Sequence, residues 1–388
     1  MAVVVDPSLP YDREIAKGVA QYAREVGTWR LYIEEEAPRR LPDFATWAGH
    51  GVIASFDDER IAGAVAAAGL PAVAVGGGGG YYDPATGIPY VDTDNEQVAV
   101  LAAEHLLECG LASCGYYGLA PARTTGWSDI RGGAFAARLA AAGKACVELV
   151  ARHEATQWRN LQEELVGWLT SLPLPVGIMA CDDVRARHVL EACRTAGLRV
   201  PHDVAVIGVD DDDLLCEFSD PPLSSVRQAA RRIGFEAARV LEGLMRPAGP
   251  RHKRKKPAKA ERIVVPPLGV VARRSTQTIA VADPAIAAVV RLVRDRACGR
   301  LAIRDVVHES GLSRWILEDR FRQAVGHTVH EDILRVRLAE AKRLVITTDM
   351  PLKAIAPRAG FRSVAYMTTL FRHHLGTTPA ALRRDAGG

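Results

Sequence analysis

Near the C-terminus the same residues recur fifty positions apart, a spacing that restricts the fold more than any other feature of the chain. Ser313 is followed by Leu317, Phe321-Arg322, Gly326 and Thr328. Ser363 is followed by Met367, Phe371-Arg372, Gly376 and Thr378 at identical offsets. Upstream, Ile303, Val306 and Gly311-Leu312 are matched by Leu352, Ile355 and Gly360-Phe361. Each copy reads as a short helix, a turn through Gly, a Ser N-cap and a second helix, which is a helix-turn-helix. Leu334, Leu338, Ala341 and Val345 share one face of a helix joining the copies. A bundle that packs only on itself would show the same apolar pattern. The charge favours DNA instead: residues 281–388 carry 18 Lys+Arg against 11 Asp+Glu.

Ahead of the repeat the pattern is different. Short apolar runs at Ala2-Val5, Leu31-Ile33, Gly51-Ala54, Ala72-Val75, Cys114-Tyr117, Glu148-Ala151, Gly177-Ala180, Val204-Val209 and Arg262-Val265 alternate with helix-length segments. Ile15, Val19, Tyr22 and Val26 mark one helical face, and Ile233, Ala237, Val240 and Leu244 another between Arg227 and Met245. Apolar strands alternating with helices predict parallel, doubly wound α/β sheets, and this many repeats predict two of them. The expected organisation is a two-lobed domain over 1–275, a linker over 276–283 and an all-α domain over 284–388. A chain of 388 residues has the length for this.

Charge divides the chain in the same way. Residues 1–250 carry a net −12, residues 251–280 a net +8, and residues 281–388 a net +7. Arg251-His-Lys-Arg-Lys-Lys-Pro257 reads as a polar loop. Seven cysteines without a CxxC pair fit a reducing compartment and give no zinc spacing. No apolar run is long enough to span a bilayer, and the start lacks the basic region of a secretory signal.

The C-terminal segment resembles the AraC/XylS family of bacterial transcription regulators through Ala341-Lys342-Arg343-Leu344-Val345, Pro351-Leu352, Ala359-Gly360-Phe361, Phe371-Arg372 and Thr378-Pro379. The first 275 residues resemble the sugar-sensing domains of LacI/GalR regulators, which share the fold of periplasmic sugar-binding proteins. Val206-Ile-Gly-Val-Asp210-Asp211, Pro222-Leu-Ser-Ser-Val226 and Ala180-Cys-Asp182-Asp183 carry that likeness. The pairing resembles regulators of xylose operons. Tyr11-Asp12-Arg13, Ile33-Glu34-Glu35, Phe56-Asp57-Asp58, Asp92-Thr93-Asp94-Asn95, Arg185-Ala186-Arg187-His188 and Arg273-Arg274-Ser275-Thr276 extend it over the chain. Two departures stand out: Pro357 inside the first helix of the second unit, and Asp319 at an outward position where a basic residue is usual.

The resemblance implies a cytoplasmic, nucleoid-associated activator without cofactor, metal or membrane. Its implied partners are double-stranded operator DNA, D-xylose or a related sugar, a second copy in a homodimer, and RNA polymerase. It places sugar-binding groups at strand ends in the inter-lobe crevice, where open α/β sheets take ligands: Tyr11, Asp12, Trp127, Arg131, Asp182, Asp183 and Asp210. Arg131, Asp183 and Asp210 are the polar anchors, and Trp127 is the stacking plate. An Asp after a strand is by itself more often an N-cap. The DNA-facing candidates are Ser313, Arg314, Trp315, Glu318 and Arg322 in the first unit and Ser363, Thr368, Thr369 and Arg372 in the second. Arg322 and Arg372 are assigned to phosphate or structure.

Other features receive plain readings. Gly76–Gly80 lacks a phosphate-loop pattern and reads as a flexible loop. Asp210–Asp213 lacks the Gly and terminal Glu of a calcium loop and reads as a solvated turn with one pocket residue. His373-His374 suits phosphate or solvent. No nucleophile elbow, HExxH or triad is present. A sugar-modifying enzyme or transport-binding protein of the same two-lobed fold is the rival reading, and the tandem repeat weighs against it.

Overall fold

The computed structural model describes residues 1–34, 44, 47–111, 113–153, 157–246, 261–277, 283–299, 301–348 and 350–387. The basic stretch Arg251–Pro257 and most of the expected linker lie outside the described residues. The chain forms two compact units, Met1–Thr276 and Gln277–Gly388.

The first unit contains two lobes. Lobe 1 is built from β1 (Ala2–Val4), α1 (Pro10–Val26), β2 (Tyr32–Ile33), β3 (Val52–Ser55), α2 (Glu59–Ala67), β4 (Ala72–Gly76) and β5 (Tyr90–Thr93). Lobe 2 takes α3 (Asn95–Glu108), β6 (Ser113–Gly118), α4 (Gly126–Ala141), β7 (Cys146–Val150), α5 (Trp158–Ser171), β8 (Val176–Ala180), α6 (Asp183–Thr195), β9 (Val204–Val209), α7 (Asp213–Phe218) and β10 (Ser224–Arg227). The chain then returns to lobe 1 for α8 (Ala230–Met245) and β11 (Arg262–Val265), and ends in lobe 2 with β12 (Gly269–Val271). The sheet orders are β11-β5-β4-β3-β1-β2 and β12-β10-β9-β8-β6-β7. All pairings are parallel except that of β12 with β10.

Three crossings therefore join the lobes, after β5, β10 and β11. A ligand between the lobes touches segments that must bend when the lobes move. Central strands such as β4, β8 and β9 are buried along their whole length, as expected for a parallel sheet covered on both faces.

Two strands lack the apolar signal that revealed the others, β5 (YVDT) and β10 (SSVR), and β12 (GVV) is apolar but only three half-buried residues long. Ser224 and Ser225 are fully buried in β10, their hydroxyls bonded to Arg273 O at 3.0 Å and Asp183 Oδ1 at 2.7 Å. Satisfied hydroxyls fill core positions there, and hydropathy cannot see them.

The second unit is entirely helical: α9 (Pro284–Arg296), α10 (Ile303–Ser310), α11 (Arg314–Val325), α12 (Val329–Thr347), α13 (Leu352–Arg358), α14 (Val364–Leu375) and α15 (Pro379–Gly387). Its two copies have separate cores. Phe321, Leu317, Val306 and Ile333 belong to one, and Phe371, Met367, Ile355 and Leu344 to the other. Phe321 and Phe371 are equivalent and fully buried, so truncating either to Ala costs ~3–5 kcal/mol. Pro357 does lie inside α13. The short helix closes one turn later through Phe361 N–H donating to Ala356 O at 2.8 Å.

Candidate functional site

The crevice of the first unit gathers its groups from strand ends and helix starts in both lobes. In lobe 1, Asp12 stands in the first turn of α1, buried, with Oδ2 accepting the Asp6 N–H at 2.8 Å. Burial pushes its carboxyl up to about 7, and the charges of Asp57, Asp6 and Asp210 add to the rise. Tyr11 hydrogen-bonds Gly76 O at 3.2 Å and Thr93 Oγ1 at 2.8 Å, which ties α1 to the ends of β4 and β5. Asp57 follows β3. Burial lifts its carboxyl to about 6, while the Gly77 N–H and the Ser55 hydroxyl oppose the rise. Asp57 carried part of the whole-chain likeness without being assigned to the site, and its geometry places it there.

In lobe 2, α4 begins at Gly126, so Trp127 and Arg131 share one helix. Four residues apart, they lie on one face. The Arg131 guanidinium sits 4.6 Å from the Trp127 ring centroid, a cation–π contact. Arg131 is only 3% exposed. It donates through Nε to Asn95 Oδ1 at 2.8 Å and through Nη1 to Cys181 O at 2.6 Å. Asn95, at the crossing after β5, in turn donates to Gly77 O. A single chain of hydrogen bonds thus runs from the glycine loop of lobe 1 to the helix of lobe 2.

The loop Gly76–Gly80 is half-buried and seated against lobe 2, not the free flexible segment its composition suggests. A Cβ on Gly78 would lie 2.7 Å from the Trp127 backbone nitrogen. Only a bare backbone approaches α4 so closely.

The turn after β9 also differs from expectation. Asp210 and Asp211 adopt φ of 111° and 57°, the only positive values for residues other than Gly among those described. Such conformations cost of order 1–3 kcal/mol and persist where the surroundings impose them. The turn is only partly solvated: Asp213 is exposed, Asp210 and Asp212 are half-buried, and Asp211 is enclosed. Asp211 is buried in ion pairs with Arg227 Nη2 at 2.5 Å and Arg273 Nη1 at 2.7 Å. Asp210 accepts from the Gln228 side chain. Burial pushes its carboxyl to about 7, Asp182 and Asp212 add to the rise, and Arg131 opposes it.

Asp182 and Asp183 separate into different roles. Asp182 caps α6, accepting the Arg185 N–H at 2.8 Å, and pairs with the Arg185 side chain at 3.2 Å. Asp183 is buried behind the turn with both oxygens engaged: Oδ1 by Ser225 Oγ at 2.7 Å, Oδ2 by Asp212 N–H at 2.9 Å. Gly208 leaves room for it, since a Cβ there would lie 2.2 Å from Asp183 Oδ1. Burial, with the Asp210 charge next, holds the Asp183 carboxyl well above its ordinary range. The geometry makes Asp183 a support of the Asp210 turn.

In the second unit, Ser313 and Ser363 cap α11 and α14, accepting the N–H of Ile316 at 3.4 Å and of Tyr366 at 3.2 Å. Trp315 is 77% exposed. Arg314, Asp319, Arg322 and Gln323 are exposed on α11, as are Ala365, Thr369, Arg372 and His373 on α14. Asp319 Oδ2 accepts from Gln323 Nε2 at 3.0 Å, so its charge is partly answered within the helix. Glu318 and Thr368 are half-buried. Each follows a core residue, Leu317 or Met367, and so sits 100° from the core centre, on the flank of its helix. Gln323 was not among the expected contacts, and His373 was expected only at phosphate or solvent. They lie fifty positions apart on the exposed stripe, so the repeat itself could have found them.

A two-lobed crevice lined with carboxylates, Arg and Trp, followed by paired helix-turn-helix units, defines a ligand-responsive transcription regulator. The comparisons agree with that class. Residues 103–276 match a periplasmic binding protein-like domain, residues 1–96 a XylR N-terminal domain, and residues 306–385 a helix-turn-helix domain. The Xylose operon regulatory protein of Escherichia coli K12 is 34% identical over 375 residues, 96% of this chain and 94% of the relative. Its counterpart from Haemophilus influenzae Rd is 32% identical over 396 residues, 99% and 97% of the two chains. A solved structure described as the xylose-binding transcription activator xylR has a TM-score of 0.65 at 33% identity and covers 99% and 97%. A CelR–cellobiose complex, 24% identical with a TM-score of 0.56 over 71% of this chain and 83% of its own, shares the fold. The chain belongs to the xylose operon regulator family, whose members are transcription regulators and not enzymes. No helix among the described residues is long and apolar enough to cross a membrane.

Proposed function

We propose that this chain senses D-xylose in the crevice of its first unit and, as a homodimer on operator DNA, activates pentose-utilisation genes through RNA polymerase in the cytoplasm. The observation that carries the sugar reading is the meeting of Asp12 from lobe 1 with Asp210 and Arg131 from lobe 2. Burial holds each carboxyl near 7; the Asp210 charge in lobe 2 raises Asp12 across the crevice, and Arg131, within lobe 2, restrains Asp210. Carboxylates accept from sugar hydroxyls, a guanidinium donates to them, and the Trp127 indole covers an apolar sugar face. The names and ligands of the relatives supply xylose as the particular sugar.

The same turn offers a route to the second unit. Arg273, paired with the buried Asp211, donates its N–H to Ser224 Oγ at 2.7 Å. Ser275 Oγ donates to Val206 O at 2.6 Å, and Thr276 Oγ1 lies 2.7 Å from both Ser224 Oγ and His105 Nε2. The last residues of the sensor are thus bonded to β9 and β10, whose ends carry the Asp210 turn. Sugar that draws Asp12 and Asp210 together selects one lobe arrangement and shifts this exit segment with it.

Calorimetry of the full chain against D-xylose, L-arabinose, D-ribose and D-glucose tests the assignment. D-xylose binding at least tenfold tighter than the rest is expected. Equal affinities, or no heat with any pentose, would refute it.

A further inference from the structure

The two helix-turn-helix units have separate cores, and the apolar link between them is α12 alone, which gives Val329 and Ile333 to one core and Leu338, Ala341, Leu344 and Val345 to the other. Arg337, midway along α12, adds a polar connection. Its Nε donates to Ala297 O at 2.7 Å, and its Nη2 reaches Leu301 O at 3.2 Å and Gly299 O at 3.5 Å. These carbonyls end α9 and lead into α10, so one side chain ties the C-terminal end of α9, which packs in the core of the first helix-turn-helix, to the connecting helix α12. A planar guanidinium with several donors suits carbonyls that diverge from one turn.

From the other side, the turn of the second unit closes on the same spot. Gly360 adopts φ +81°, and a Cβ there would lie 2.8 Å from Arg337 Nε, 2.9 Å from Ala297 O and 3.0 Å from the Cα of Cys298. The turn of the second reader thus rests on the arginine and on the helix end it binds. Desolvation from this packing lowers the Arg337 pKa.

We propose that Arg337, clamped between Ala297 and Gly360, is the positioning residue that sets the spacing of the two DNA-reading helices and so the half-site spacing the protein accepts. The proposal rests on the family's DNA binding and adds a specificity determinant that touches no DNA. Two rigidly joined readers gain affinity only when both sites fall at the matching separation; a loose joint spreads the gain over many separations.

The test uses the full chain and a duplex selected by the wild-type protein from a randomised library. Variants of that duplex carry one to five extra base pairs between the half-sites, and a truncated duplex carries a single half-site. For Arg337→Met, binding to the single half-site stays within about twofold of wild type, while binding to the full duplex falls by about tenfold or more. Its penalty for one inserted base pair, steep in wild type, shrinks to about threefold or less. Gly360→Ala, which pushes on the clamp from the opposite side, shows the same flattened spacing profile and guards against a folding defect peculiar to the arginine variant. Unchanged spacing profiles in both variants, or equal losses on half-site and full duplexes, would overturn the proposal. Failure of the wild type to select any duplex would instead indict the DNA-binding reading on which it rests.

Discussion

Replacing Asp210 with Asn separates what the crevice does for sugar from what it costs the fold. The side chain keeps its shape, and Asn tolerates the positive φ of this turn about as well as Asp. Two effects of opposite sign follow. The first concerns stability. Burial lifts the Asp210 carboxyl from 3.8 to about 7, so between those values the folded protein holds a proton that the unfolded chain has released. Stability contributed by this group therefore falls as pH rises from about 4 to about 7 and stays low above. At pH 8 a shift of about three units has a ceiling of ~4 kcal/mol. Residual solvent contact and coupling to Asp183 reduce this to ~1–2 kcal/mol, or a rise of about 2–4 °C in Tm for Asp210→Asn. The second effect concerns sugar. A charge-assisted acceptor is lost, at ~1.5–3 kcal/mol, which weakens pentose binding about 10- to 150-fold. Thermal melts at pH 5 and pH 8 and calorimetry at pH 8 read both numbers on one preparation. A variant that is less stable than wild type at pH 8 and binds D-xylose as tightly would refute the reasoning.

Sugar hydroxyls favour ionised Asp12 and Asp210, whose free-protein values lie near 7; pentose affinity therefore rises from pH 6 to pH 8 with net proton release, seen as different binding heats in phosphate and Tris. Trp315→Ala changes which sequences the protein prefers in a selection experiment, whereas Arg372→Ala weakens binding to all duplexes and lowers the salt slope by about one. Arg273→Met leaves Asp211 as a buried charge with Arg227 alone. Sugar binding is retained within a few-fold, but the sugar's effect on DNA affinity drops by at least half on a free-energy scale, measured by anisotropy with and without D-xylose.

The fold was legible wherever apolar side chains recur with the period of the element. Strand β9 and the two reader helices fall where periodicity places them, because their burial comes from Val, Ile, Leu and Phe. The strands β5 and β10 stayed hidden, since buried Ser, Thr and Asp satisfied by neighbours look polar in sequence, and β12 is too short, at three half-buried residues, to show a pattern. The site followed the same division. Arg131, Asp12 and Asp210 stand at strand ends and helix starts that a pattern can locate. The roles of Asp182 and Asp183 did not follow from position: two adjacent buried carboxylates differ because one caps α6 and pairs with Arg185 and the other is enclosed behind the turn. The glycine run is legible only in three dimensions, where its missing side chains let lobe 1 meet the Trp127 backbone.

The central claim is that sugar in the crevice and DNA on the paired readers bias one equilibrium. Linkage requires the effect to be reciprocal. The most direct measurement is D-xylose affinity of the full chain by calorimetry, with and without a saturating duplex selected by the wild-type protein. Tightening of about 5- to 150-fold in the presence of DNA, matched by an equal tightening of DNA binding by sugar, is the predicted result. Identical D-xylose affinities with and without DNA would contradict it, because sugar could then not shift DNA binding at all.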